Sequence, residues 1–494
     1  MINQLFYGDN LEVLRQHIRD ESIDLCYIDP PFNSQRNYNQ IYLNKGKEDQ
    51  TQTQAFVDTW TWDDLANQGL AEIQENYQGR FTSQSIDLIF GLTKVLGKGS
   101  LLAYLISLTL RIVEIHRVLK STGSFYLHCD PTASHYLKII CDAVFCSQDG
   151  DFQNEIIWCY KDPSGKTIKF FRRKHDVILF YSKSNEYNFY ADAIRVEYGA
   201  STKQQIASKT TSFGRVVTGH PLGKIPEDWW EIPIINSQAK ERLGYPTQKP
   251  KSLLERIIKA SSHEGDVVLD AYCGCGTTVA VAQDLKRQWI GIDITYQSIS
   301  LILKRLEDAF GAEVLENITL NGIPKDMESA EALALKKDDQ TRKEFEKWAI
   351  LTYSNNRATI NQKKGSDRGI DGIAYFKKNA DENEKVILQV KSGNVKSGDI
   401  RDLLGTITTE GAALGILITL KSPTKDMVKA AKEAGIYQSI YRSEAINKIQ
   451  IVTIQEIIEA QKRLDVPLIE EVLKSAEKQA LSKQLPLDLS QVLI

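Results

Sequence analysis

Asp29-Pro30-Pro31-Phe32 closes the apolar run Ile23–Ile28, where an acid is costly to bury unless it has work to do. Two successive prolines fix φ and remove two backbone donors, leaving carbonyls free to accept. An acceptor-only carboxylate, an aimed carbonyl and an aromatic face together suit an amino group on a flat ring. A strand-terminating turn capped by Asp29 fits the tetrapeptide equally well. A second constellation, Asp270-Ala-Tyr272-Cys-Gly274-Cys-Gly276-Thr277-Thr278, falls between a strand and a helix. Its glycines let a ligand approach the backbone, and a helix N-terminus supplies donors to an anionic group. Asp293 ends the next strand, where a carboxylate can accept both hydroxyls of a ribose. The third glycine of a dinucleotide fingerprint is Val279 here, which argues against a nicotinamide or flavin and leaves a smaller adenosine ligand. For the glycines alone, a packing turn without a ligand stays open.

A third set lies far along the chain. Gln389 and Lys391 stand two apart on one strand, so their side chains share a face, and Asp371 starts the strand before it. Asp371 and the Gln389 amide oxygen are the candidate metal ligands for a hard divalent cation, Mg²⁺, and Lys391 would orient or activate water. An exposed hairpin with a surface lysine is the plain alternative. Lys166 to His175 (KTIKFFRRKH) adds five basic residues with Phe170 and Phe171 and no acid, suited to gripping phosphates or simply a solvated loop.

The elements that must position these residues follow from periodicity. Strand Gln4 to Tyr7, a turn at Gly8-Asp9, a helix through Leu11, Val13, Leu14 and Ile18, and strand Ile23 to Ile28 make a βαβ beginning. Residues 33 to 100 are richer in Gln, Asn, Thr and Lys and are expected to form an insertion with a helical part. Alternation resumes with a helix ending near Lys120, a strand from Ser124 to His128, a helix to Phe145, and strands near Ile156 and from Val177 to Tyr181. Residues 185 to 245 are irregular and punctuated by Gly and Pro, as expected of a substrate-reading surface or of plain connecting loops. A second βαβ unit follows Pro250: strand Asp266 to Tyr272, a helix to Leu285, strand Trp289 to Asp293 and a helix to Phe310. Residues 324 to 340 are expected as a linker or short exposed helix. Beyond them a helix near Phe345 to Leu351 and strands Asp371 to Phe376, Val386 to Lys391 and Leu414 to Leu420 form a compact α/β unit, and the tail from Pro467 is expected to be a helix with loose sequence after it.

With 494 residues, a prior of about three domains applies. The 64 acidic and 61 basic side chains give a net charge of −3, so any basic surface must be local. No charged-then-apolar leader opens the chain and no apolar run approaches the ~18 residues of a membrane span, which points to a cytoplasmic protein without membrane attachment. Seven cysteines without a CxxC pair disfavour a disulfide framework or zinc ribbon. All seven histidines lie at or before His263 and all seven cysteines at or before Cys275, so the residues beyond Cys275 must work without imidazole or thiol.

Taken together, the first two constellations resemble the amino-group DNA methyltransferases that modify adenine N6 or cytosine N4. Asp29-Pro-Pro-Phe is similar to their catalytic DPPY/DPPF motif, Tyr272-x-Gly274-x-Gly276 to their FxGxG cofactor motif, and Gly244-Tyr-Pro-Thr247-Gln-Lys249-Pro250 to the segment that precedes the cofactor strand. The catalytic motif comes first and the cofactor motif about 240 residues later, the permuted order of the β class. The resemblance covers roughly residues 1 to 315. It implies S-adenosyl-L-methionine as cofactor, Asp29, Pro30, Pro31 and Phe32 as catalytic residues, and a cofactor-binding set of Asp9, Thr247, Lys249, Pro250, Asp270, Tyr272, Gly274, Gly276, Thr277 and Asp293. Asp9 serves equally well as an N-cap of the first helix.

Phe345-Glu346, Gly369-Ile-Asp371-Gly372, Leu388-Gln-Val-Lys391 and Gly415-Ile-Leu-Ile-Thr419 resemble the Mrr-like branch of the PD-(D/E)xK restriction endonucleases, over roughly residues 340 to 437. The resemblance implies catalytic roles for Asp371, Gln389, Lys391 and the helix carboxylate Glu346, with Glu344 as a second candidate for the last. Residues 357 to 401 carry 10 Lys and Arg against 6 Asp and Glu, a surplus suited to phosphates.

The expected fold class is α/β: a Rossmann-like methyltransferase domain (1–320), a linker (321–340), a smaller restriction-endonuclease-like domain (341–465) and a tail (466–494). The expected function is site-specific methylation of adenine N6 in double-stranded DNA within a restriction-modification system, with a fused Mg²⁺-dependent endonuclease; a homodimer is an open assembly. The alternative is a cytosine-N4 methyltransferase whose C-terminal domain only binds DNA.

Overall fold

The computed structural model describes residues 3–31, 36–44, 47–58, 60, 62–160, 171–208, 218–236, 239–243, 245, 247–335, 339–354, 358–361, 369–378, 383–438 and 445–465. Phe32, Gly244, Pro246, most of the basic stretch (161–170) and the tail from 466 lie outside the described residues.

In chain order the larger unit carries β1 (Asn3–Tyr7), α1 (Asn10–His17), β2 (Ile23–Ile28), β3 (Arg36–Asn44), β4 (Lys47–Asp58), α2 (Asp64–Glu75), α3 (Ser83–Leu96), α4 (Ser100–Val118), β5 (Leu119–Cys129), α5 (Ser134–Cys141), β6 (Asp151–Cys159), β7 (His175–Ser182), α6 (Ala200–Ser208), β8 (Trp229–Glu231), α7 (Lys251–Ser261), β9 (Val267–Asp270), α8 (Thr277–Asp284), β10 (Gln288–Asp293), α9 (Tyr296–Phe310), α10 (Glu313–Glu316) and β11 (Ile318–Asn321). The smaller unit follows with α11 (Met327–Ala334), α12 (Asp339–Tyr353), β12 (Thr359–Ile360), β13 (Gly372–Lys377), β14 (Asn383–Lys391), α13 (Ser397–Thr409), β15 (Leu414–Thr419), α14 (Lys425–Glu433), β16 (Ile436–Tyr437), β17 (Ile446–Asn447), β18 (Ile449–Thr453) and α15 (Ile454–Ile458).

Nine strands form the main sheet in the order β11-β1-β10-β9-β2-β5-β7-β6-β8. From β11 to β5 every pairing is parallel, and β7 then runs antiparallel to β5 and β6. Period-2 alternation on β2 sends Leu25 and Tyr27 to one face and Cys26 and Ile28 to the other, which is why all six of its residues are buried. One face is covered by α1, α4 and α5, the other by α7, α8 and α9. With helices on both sides, the open positions for ligands are the carboxyl ends of the parallel strands.

Two strands of the main sheet escaped the sequence reading, as did β3, β4, β12, β16, β17 and β18 outside it. β8 is an edge strand inside the irregular 185–245 stretch, and β11 extends the main sheet at its other edge. At three and four residues both are too short for a periodic signal. Residues 33 to 100 hold the β3–β4 hairpin as well as helices. The expected linker contains α11, whose Ala330 and Ala334 are buried and belong to the same hydrophobic core as Trp289 and Ile302. That core continues into Phe345 and Trp348 of α12, so the two units share apolar packing rather than being strung on a free tether.

The smaller sheet has the order β12-β13-β14-β15-β18, antiparallel at one side and parallel from β14 onward. Ala374, Phe376, Leu388 and Val390 pack with Phe345 and Trp348 on one face, while Ile373, Ile387 and Leu417 pack with Ile400, Leu403 and Met427 on the other.

Candidate active site

Asp29, Asp270 and Asp293 stand at the carboxyl ends of β2, β9 and β10, three neighbours in the parallel sheet. Strand order thus gathers acids that are up to 264 residues apart (293 minus 29). Asp270 is buried and accepts the Tyr272 N–H at 3.0 Å; burial, with the charges of Asp29 and Asp293 adding, pushes its carboxyl up to about 7. Burial likewise pushes Asp293 up to about 6, against three hydrogen bonds: Gly274 N–H at 2.9 Å, Thr295 N–H at 2.9 Å and Thr295 Oγ1 at 2.9 Å. Acids kept in place against such a desolvation cost make this end of the sheet the candidate functional cleft.

The turn between β9 and α8 requires its glycines. Gly274 and Gly276 have φ of +48° and +71°, and a Cβ on Gly276 would come within 2.6 Å of Ile302. Gly276 caps α8, whose first residue is the buried Thr277. Val279, at the third fingerprint position, is buried one turn into α8. Tyr272 is partly buried against the core, and the turn is braced from α1: Asn10 donates to the Ala271 carbonyl at 2.8 Å, and Arg111 holds both Asn10 and Asp9. Asp9 accepts the Leu11 N–H at 2.9 Å and that Arg111 contact, so it is an N-cap in this structure.

Lys249 was expected on the cofactor and is found on the candidate acid, its ammonium ion-paired with Asp29. Both side chains are largely withdrawn from water, at 9% and 19% exposure. Thr247 is exposed with φ of +65°, a left-handed conformation unfavourable for a β-branched residue, and Pro250 caps α7. Tyr245 packs on Gly274, where a Cβ would lie 3.4 Å from its ring. Pro30 is buried and Pro31 partly so.

Sequence reasoning missed the layer behind Asp29. His128, fully buried on β5, lies with Nδ1 3.9 Å from Asp29, takes the Tyr27 hydroxyl at 2.9 Å and reaches Asp176 through Nε2 at 3.2 Å. Tyr160 donates to the other Asp176 oxygen at 3.3 Å. Burial raises the Asp176 carboxyl, but His128, the Lys249 charge and Tyr160 together hold it below the usual range. The one signal available in sequence was a histidine inside an otherwise apolar strand.

In the smaller unit Asp371 sits just before β13 rather than on it, with its N–H on the Leu388 carbonyl and its Oδ2 accepting the Val390 N–H at 2.7 Å. Continuing the β13–β14 register sets Asp371 opposite Gln389. Gln389 is buried at 5% exposure, and among the described residues its Oε1 has no hydrogen-bond partner; the same holds for the buried Oγ1 of Thr419, the register partner of Lys391. Alternation puts Gln389 and Lys391 on the face of Ile387, away from the α12 face. Glu346 is half-buried on α12. Among the described residues, no three His, Cys, Asp or Glu side chains converge in a way that would hold a metal, and no helix is long and apolar enough to cross a membrane.

With this geometry in hand, the relatives can be compared. The chain is 28% identical to the DNA adenine methyltransferase YhdJ of Escherichia coli strain K12, over 64% of this chain and 86% of that protein. It is 30% identical to the type II methyltransferase M.BglII of Bacillus subtilis, over 60% of this chain and 69% of that one. Among solved structures, the cytosine-N4-specific PvuII DNA methyltransferase aligns at 16% identity over 65% of this chain and 95% of that one, with a TM-score of 0.38. Residues 342–459 match a family described as NACHT-associated inactive restriction endonuclease 1, so the restriction-endonuclease resemblance of the smaller unit is met by a family whose description calls it inactive. Residues 23–304, more than half of the chain, match the N6/N4 family described as DNA methylase, and to that family this chain belongs.

Proposed function

We propose that this chain transfers a methyl group from S-adenosylmethionine to the N6 amino group of adenine in double-stranded DNA, as the modification enzyme of a restriction-modification system. The observation that carries the reading is the Asp29-Pro30-Pro31 segment at the end of a central buried strand, one strand away from the Asp270 glycine turn. The donor set fits an adenosine cofactor: a positive-φ glycine cradle, Thr277 at a helix start, and the partly buried carboxylate of Asp293 for ribose hydroxyls. Asp270 and Tyr272 belong to the same turn, and we assign Thr247 and Pro250, which flank Lys249 in sequence, to its approach. When bound, S-adenosylmethionine supplies an electrophilic methyl on a sulfonium.

The chain's own residues supply the rest. The exocyclic amine of adenine is a poor nucleophile because its lone pair is delocalised into the ring. Asp29 and the Pro30 carbonyl would accept its two hydrogens, so the nitrogen pyramidalises and its lone pair turns out of the ring plane. Lys249 holds Asp29 through Oδ2, and the second carboxylate oxygen, Oδ1, is the one to accept from the amine. Orientation and fixed electrostatics then carry the step, and a base held this way must have left the duplex. The relatives include an adenine methyltransferase and a type II methyltransferase, which supports the substrate class. Mapping modified bases on DNA from cells expressing wild type and Asp29→Ala tests it: N6-methyladenine at one sequence in the wild type alone is expected. N4-methylcytosine would transfer the assignment to cytosine, and unmodified DNA would refute it.

For the smaller unit, the buried Gln389 Oε1, opposite Asp371 and without a hydrogen-bond partner among the described residues, supports a second reading, Mg²⁺ held by Asp371 and Gln389 with Lys391 serving strand cleavage, while Glu346 sits on α12 against the opposite face of the sheet and is left out of that site. The test is nicking by the purified chain with Mg²⁺ on unmethylated and methylated DNA. If neither is cut, the nuclease reading falls, in line with a family described as inactive, and the DNA-binding alternative takes its place.

A further inference from the structure

Tyr7 ends β1, Asp293 ends β10, and the two are register partners in the parallel ladder. The Gly8 N–H donates to the Asp293 carbonyl at 3.0 Å. Leaving Asp293, the chain passes the N-cap Thr295 and enters α9 at Tyr296. The ribose-binding acid of the proposed function is therefore flanked by the end of β1 and the start of α9. One side chain from outside the methylase-matched residues touches both flanks. Glu344 of α12 accepts, through Oε2, the Tyr7 hydroxyl at 3.2 Å and the Tyr296 backbone N–H at 3.3 Å. Its Oε1 accepts from Lys347 at 2.5 Å, and the side chain is 12% exposed.

Each contact has a physical reason. The Tyr296 N–H is one of the helix-start donors with no partner inside the helix, and an anion there also meets the positive end of the helix dipole. Burial, together with the Glu344 charge, drives the Tyr7 hydroxyl far above its ordinary range, so it stays a donor. The Tyr7 and Tyr296 rings meet edge-on with centroids 6.0 Å apart, and the Tyr296 hydroxyl reaches Thr352 of α12 at 3.1 Å. Glu344 is thus engaged at the seam between the units, while Gln389 and Lys391 lie across the smaller sheet on its other face.

We propose that Glu344 is a positioning residue for the cofactor site, fixing the β1 end and the α9 start around Asp293, so that cofactor affinity depends on the C-terminal unit. The proposal rests on the reading of Asp293 as a cofactor ligand.

The test uses the full chain and compares wild type, Glu344→Ala, Glu344→Gln and Tyr7→Phe by calorimetric titration with S-adenosylmethionine, by steady-state kinetics and by thermal melting. Glu344→Ala should raise the cofactor Kd and KM about tenfold, the factor carried by lost hydrogen bonds to a charged acceptor, with the DNA KM moving far less. Glu344→Gln keeps an oxygen that accepts from both donors and should recover most of the affinity, and Tyr7→Phe should fall between. A cofactor Kd unchanged in Glu344→Ala, even with a lower melting temperature, overturns the proposal, as does an equal rise in both KM values. If Glu344→Ala does not fold, an unchanged Kd in Tyr7→Phe overturns it instead. Wild-type protein that binds no S-adenosylmethionine overturns the cofactor reading beneath it.

Discussion

Replacing Asp270 by Asn should stabilise this protein at pH 8 and not at pH 5. The carboxyl is 4% exposed and pushed up to about 7, chiefly by burial and further by the charges of Asp29 and Asp293. Keeping it ionised at pH 8 costs on the order of 4 kcal/mol relative to an ordinary aspartate, at about 1.4 kcal/mol for each tenfold change in proton affinity. Asn keeps an oxygen that can accept the Tyr272 N–H but adds an amide NH₂ that needs an acceptor, so roughly half of that, ~2 kcal/mol, should be recovered. For a chain of this size the gain amounts to about 2–4 °C in Tm. The native state binds a proton as pH falls through about 7, whereas the unfolded chain stays ionised down to its ordinary value of 3.8. Wild-type stability from this group therefore rises as pH falls across that window, and the gap to Asp270→Asn should close by pH 5. Melting curves of both proteins at pH 5, 6.5 and 8 measure this. A variant that melts below wild type at pH 8, or by the same margin at all three pH values, would refute the desolvation argument. The added stability should come with lost methylation, as when an acid is retained for use rather than for folding.

Asp29→Ala should abolish methylation while S-adenosylmethionine still binds, whereas Asp293→Ala should weaken cofactor binding by ~2 kcal/mol as ribose hydroxyls lose a charged acceptor; equal cofactor loss in both would sink this division of roles. Lys249→Met should cost ~2 kcal/mol of stability by leaving Asp29 without its cation, and should reduce methylation more than cofactor affinity, since the lysine is paired with Asp29; a change confined to cofactor Kd would return Lys249 to the cofactor. A linker over 321–340 implies that a chain ending at 335 keeps an intact methyltransferase, but Phe345 and Trp348 share a core with Trp289 and Ile302. The truncated protein should aggregate or melt several degrees lower, ~5 °C or more, and a soluble truncation with the wild-type Tm would show that seam to be dispensable.

What the sequence determined is what a short stretch of chain can encode. The apolar run into Asp29-Pro-Pro, the glycines that take positive φ before α8, and the alternation on β14 are each set within about ten residues. Backbone sterics and side-chain period act at that range. The order of the two motifs along the chain likewise carried the family. Tertiary structure decided the partners. Lys249 has the chemistry to sit on a cofactor carboxylate, but the segment before α7 delivers it to Asp29, 220 residues away. His128 and Asp176 meet only because β5 and β7 are antiparallel neighbours, and no spacing in the sequence encodes that pairing. Glu344 had the right residue type and helix for a nuclease carboxylate. The packing of α12 on α9 instead turned it toward Tyr7 and Tyr296, because burying Phe345 and Trp348 on the shared core fixes which side of the helix faces the cofactor strands. Hydrophobic burial has no direction of its own and is satisfied by many faces. The choice among them is made by the fold as a whole.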